Sequence, residues 1–157
     1  CDMGMLMALR LHDVCERILP KSVINCKRGS MLYEALKAAI EKRFPSLKFS
    51  AADENKLISI PPKHPDVGSL DIQDDYDELT VFVGNFTHWH SGYFNGTQEN
   101  LEQLNEVIED VVEYLEDMFN DRIFMWGSVS KGGGTILIED DFKTKKSGFV
   151  WSGPYHG

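Results

Sequence analysis

The stretch Leu79-Thr-Val-Phe-Val-Gly-Asn-Phe-Thr-His-Trp89 carries the strongest strand signal in the chain. It is rich in Val, Phe, Thr and Trp, residues that suit a pleated, half-buried surface. Leu79, Val81 and Val83 alternate with Thr80, Phe82 and Gly84, the period of two that gives a strand one apolar face. It is read as one long strand. An apolar sheet face must be covered, so the flanking segments decide the architecture.

Downstream, Asn95-Gly96 makes a turn, and Thr97 can cap a long helix reaching about Phe119. Leu101, Leu104, Ile108, Val111, Leu115 and Met118 form its apolar stripe at helical spacing. Upstream, Leu32, Leu36, Ala39, Ile40 and Phe44 form a second stripe, with Ser30 as cap, Glu34 in the first turn, Lys42 and Arg43 near the end and Pro45 as stop. Shorter strand patterns occupy Leu47–Phe49, Leu57–Ile60, Val67–Ile72, Arg122–Trp126, Thr135–Ile138 and Gly148–Trp151. Gly132-Gly133-Gly134 reads as a flexible hairpin loop. Short connections favour antiparallel pairing. The expected fold is α+β: a single antiparallel sheet of about five or six strands, with two helices packed on one face. Residues 31–157 are expected to form one such domain. Residues 1–30 hold all three cysteines and read as an extension, with a short helix and a basic linker.

Charge is distributed unevenly. From His64 to Asp121, 58 residues, there is no Lys or Arg and there are 15 acids. The whole chain carries −9. Clustered Lys and Arg are what phosphate contact requires, so nucleic acid is not an expected partner. The same deficit argues against an anionic membrane surface. No apolar run approaches the roughly 18 residues of a membrane span. Met3–Leu9 is apolar but short and without a cationic leader, so no signal peptide is expected. Three unpaired-looking cysteines suit a reducing, cytoplasmic setting. A basic protein is the electrostatic complement.

The long helix concentrates this charge. Glu99, Glu102, Glu106, Glu109, Glu113 and Glu116 repeat at spacings 3, 4, 3, 4, 3, offset from the apolar stripe by about 200°. Asp110 and Asp117 widen the ridge. No Lys or Arg on the helix offsets it, and like charges at that spacing destabilise by about 0.2–0.5 kcal/mol per pair. A solvated outer face is the plain explanation; a docking surface for a basic protein is the functional one.

Other constellations are less specific. His88 and His90 share a strand face and can chelate one metal ion, with a third ligand from His64, Asp74, Asp75 or His156. The plain alternative is two histidines flanking a packed Trp89. Asp74, Asp75, Asp77 and Glu78 offer oxygen ligands for a hard cation but lack the EF-hand order, and a solvated turn explains them. Lys131-Gly132-Gly133-Gly134-Thr135 has the wrong order for a phosphate loop. Trp126-Gly127 and Val150–Pro154 place aromatics beside glycines, which suits core packing or the wall of a small pocket. No nucleophile–base set appears, and no catalytic residue is assigned.

The run Leu79–His90, the acidic helix, Arg122–Gly127 with its glycine loop and the closing Val150–Pro154 resemble small bacterial proteins of the toxin-immunity type. The resemblance spans roughly Met31 to Pro154. It implies a non-enzymatic, cytoplasmic inhibitor; no cofactor is expected. It carries no family residue onto this chain, because no diagnostic motif anchors one. The expected function is therefore protein binding through the glutamate face. The alternative is a metal-binding protein or metal-dependent hydrolase that holds a divalent metal on His88 and His90.

Overall fold

The computed structural model describes residues 31–75, 78–92, 101–139, 142–144 and 146–156. The reading of residues 1–30, the Ser30 and Thr97 caps, the Asn95-Gly96 turn, Asp77 and Glu99 fall outside these.

Helix α1 spans Met31–Arg43 and buries Leu32, Tyr33, Ala35, Leu36 and Ile40. The Phe44 amide still bonds to the Ile40 carbonyl before Pro45 ends the run. Five strands follow: β1 (Ser50–Ala52), β2 (Leu57–Ile60), β3 (Leu70–Asp74), β4 (Glu78–Val83) and β5 (Thr87–Gly92). They form an antiparallel meander in sequence order. Helix α2 (Leu101–Phe119) comes next, then β6 (Ile123–Ser128), β7 (Gly132–Leu137), β8 (Phe149–Val150) and β9 (Gly153–Pro154). These form a second antiparallel sheet in the order β7-β6-β8-β9.

The α+β class and the antiparallel pairing agree with the sequence. The single sheet does not: the strands divide into sheets of five and four. The seam lies between β5 and β7. Beside it the β6–β7 turn meets the β4–β5 turn, where the Val129 amide bonds to the Asn85 carbonyl at 2.9 Å. Trp89 of β5 packs edge-on against Tyr114 of α2, ring centroids 4.9 Å apart. The Tyr114 side chain also neighbours Thr135 of β7, so side chains rather than a ladder join the strands.

The long strand expected over Leu79–Trp89 is also corrected. It is a hairpin, broken at Gly84-Asn85-Phe86, with Val83 opposite Thr87. Gly84 has φ +50, and a Cβ there would stand 1.8 Å from the Val67 carbonyl oxygen. Val67, expected to start a strand, instead lies in the turn that packs on this hairpin, and β3 begins at Leu70. The first strand likewise begins at Ser50, past Leu47–Phe49. The three glycines are not a loop tip either. They lie in β7, and a Cβ on Gly133 would meet the Phe86 carbonyl oxygen at 2.5 Å. Their smallness lets β7 approach the β4–β5 turn.

One row of paired residues shows how the first sheet is used. Ile58, Ile72, Val81 and Trp89 stand opposite one another across β2 to β5. They join Leu36, Ile40, Val111 and Leu115 of the helices in one apolar cluster. Both helices thus cover the same face, as expected. Met125 and Trp151 of the second sheet region complete that cluster.

A polar clip fastens α1 to the β1–β2 turn. The Tyr33 hydroxyl donates to Asp53 Oδ1 at 2.6 Å, and Lys37 Nζ lies 3.6 Å from the same oxygen. The bond from Tyr33, then the charge of Lys37, hold the Asp53 carboxyl below its ordinary range. A depressed carboxyl adds stability above its unfolded pKa of about 3.9 and loses it as pH falls through the folded value. The stability difference between wild type and Asp53→Asn is therefore expected to be largest above about pH 4 and to vanish on further acidification. Urea midpoints measured across that range check this.

Candidate functional site

The outer face of α2 is built by the offset between its two stripes. Leu104, Val107, Ile108, Val111, Val112, Leu115 and Met118 are buried. Glu102, Glu106, Glu109 and Glu113 are exposed, and Glu116 is half-buried. Five of the six predicted glutamates thus stand on the side away from the core, and Glu99 lies outside the described residues. Leu101, assigned to the apolar stripe, is 38% exposed instead.

The ridge is less uniform than the sequence suggested. Its C-terminal end meets cations from other segments. Arg43, at the end of α1, pairs with Glu116, and Arg122 pairs with Asp117. The bond and charge of Glu116, with smaller effects from Glu109 and Glu113, push the Arg43 guanidinium above its already high ordinary value. Asp110 accepts a bond from the buried Ser91 hydroxyl at 3.1 Å, which ties α2 to β5. N-terminal to these pairs, Glu102, Glu106, Glu109 and Glu113 are exposed. Sequence spacing could not find Arg43, because its partner is 73 positions away.

The acidic cluster at 74–78 is not a solvated turn as a whole. Strand alternation sends Asp74 inward, where its side chain is 2% exposed. The Tyr33 amide, in the first turn of α1, donates to Asp74 Oδ2 at 3.2 Å. Lys56 Nζ lies 3.9 Å from the same oxygen. Asp74 therefore supplies negative charge at the positive end of α1. Asp74→Ala is expected to destabilise the protein by about 2–3 kcal/mol, since it removes a buried charged acceptor. Denaturant titration measures the loss, and Asp74→Asn, which keeps an acceptor, should lose less.

Glu78 points the other way, onto the open face of the sheet. His90 Nδ1 lies 3.2 Å from Glu78 Oε1 and 3.1 Å from Thr80 Oγ1. Thr80 spends its own proton on Asp75 Oδ2 at 2.7 Å. Its oxygen is then the acceptor for His90 Nδ1–H, which leaves Nε2 as the unprotonated nitrogen of neutral His90. His88 stacks near Phe82 and packs edge-on to His90, ring centroids 5.2 Å apart. The two histidines do share a face, and Trp89 between them packs inward, as expected.

The expected third ligands do not join them. Asp74 faces the helices, Asp75 accepts from Thr80, and His64 packs 6.3 Å from the Phe149 ring. His156 follows β9 in the other sheet. Among the described residues no group of three or more His, Cys, Asp or Glu is placed to hold a metal ion. No described helix is long and apolar enough to cross a membrane. Comparison of the chain with protein-family models, with curated proteins and with solved structures finds no match.

Proposed function

We propose that this chain is a non-enzymatic protein-binding module that docks a basic protein through the outer face of α2. The observation that carries the proposal is the run of four exposed glutamates, Glu102, Glu106, Glu109 and Glu113, on a helix with no cation of its own. A helix selected only for solubility usually mixes both signs. The cations Arg43 and Arg122 meet Glu116 and Asp117 at the C-terminal end of the helix, and the four glutamates N-terminal to them are exposed. Such a field accelerates encounter with a cationic partner more than it tightens the final complex. The layout resemblance to immunity proteins points to a basic toxin as the partner, met in the bacterial cytoplasm.

The alternative built on His88 and His90 has no third described ligand to support it. The protein-binding reading is tested by capture on the immobilised full chain. A partner bound at about 50 mM salt should be released by about 500 mM, where screening shortens the reach of each charge to a few ångströms. A partner that stays bound equally at both salts contradicts a charge-steered interface.

A further inference from the structure

A cavity of about 640 Å³ opens where the second sheet meets Phe86 of the β4–β5 turn. Phe86, Phe149 and Tyr155 supply aromatic walls, and Lys146, Ser147 and His156 supply polar groups. The walls are held in place. Phe86 and Phe149 pack with centroids 5.7 Å apart, Phe124 buttresses Tyr155 at 5.2 Å, and the Tyr155 amide bonds to the Gly148 carbonyl at 2.9 Å. The volume lies within the range of small-ligand sites, which combine apolar walls with a few polar groups.

The charge of the lining is what selects a ligand class. In a chain of net −9, no Asp or Glu is among the described residues that line this cavity. Its cation, Lys146, lies 3.4 Å over the Trp126 ring. A cation held by a ring keeps its charge for an incoming anion, unlike one neutralised by a carboxylate. We infer that the cavity binds a small aromatic anion, with the ring against the aromatic wall of Phe86, Phe149 and Tyr155 and the anionic group at Lys146. This does not rest on the docking role of α2.

Isothermal titration of the full chain tests it with four probes. Adenosine monophosphate and 4-hydroxybenzoate carry a ring and an anion, adenosine has only the ring, and inorganic phosphate has only the anion. At least one of the first two should bind one-to-one with Kd at or below about 1 mM, and the last two about tenfold more weakly or worse. Which of the first two binds distinguishes a phosphate from a carboxylate ligand. Lys146→Glu, an exposed position whose fold is checked by circular dichroism, should weaken binding about tenfold or more. Lys131→Glu, on the β6–β7 turn, should leave it unchanged. The inference is overturned if neither aromatic anion binds, if adenosine binds as well as they do, or if Lys146→Glu binds as wild type.

Discussion

Gly84→Ala is expected to cost about 3 kcal/mol of stability or more. Two effects add. The residue sits at φ +50, where a side chain costs roughly 1–2 kcal/mol. The new methyl would also stand 1.8 Å from the Val67 carbonyl oxygen, a backbone atom that cannot rotate away. Relief requires the β4–β5 turn and the Val67–Gly68 turn to separate. Their bonds, Gly84 amide to Ser69 carbonyl at 2.9 Å and Asn85 amide to Val67 carbonyl at 3.3 Å, would be lost with that movement. Gly132→Ala is the matched control. Its φ is +82, but a Cβ there meets nothing within 4 Å. It should cost only the conformational part, roughly 1–2 kcal/mol. Urea unfolding of both variants measures the difference, and equal losses would mean that the two turns do not approach as described.

Neutralising Glu102, Glu106, Glu109 and Glu113 together with Gln is the second large effect, and it has opposite signs on stability and binding. The four residues form three like-charged neighbours at helical spacing: 102 with 106, 106 with 109, and 109 with 113. Removing about 0.2–0.5 kcal/mol of repulsion at each should stabilise α2 by roughly 1 kcal/mol in total. Glu116 is spared, so its pair with Arg43 stays. The net charge moves from −9 to −5, because four negative charges are removed. Association with a basic partner should slow by about tenfold or more at low salt. A surface kept acidic only for solubility would show the gain in stability without any loss of binding.

The helices were legible because helical spacing is read from sequence alone. Met31–Arg43 and the body of Leu101–Phe119 appear where their stripes place them. The β4–β5 hairpin was hidden by parity. A three-residue turn returns the chain in a register where odd residues face odd residues, as Val81 faces Trp89 and Leu79 faces Ser91. Inward positions therefore stay odd on both sides of the turn, and the alternation runs on as if the strand were unbroken. Gly84-Asn85, a turn dipeptide, was the available signal. The division into two sheets had no such signal, because it depends on how Trp89, Tyr114 and the glycines of β7 meet across the fold. In the acidic segment, spacing predicted which glutamates face solvent. It could not separate Asp74 from Asp75 and Glu78, because burial against the start of α1 is a tertiary fact. It also could not place Arg43 and Arg122 against the C-terminal end of the ridge.

The central claim, that the Glu102–Glu113 face is a docking surface, is tested most directly by parallel capture. Wild type and the four-glutamine variant are immobilised at equal density and exposed to the same extract at about 50 mM salt, where charges still act over roughly 10 Å or more. A basic protein is expected to be retained by wild type and lost from the variant. The same protein retained equally by both, with the variant folded by circular dichroism, would contradict it.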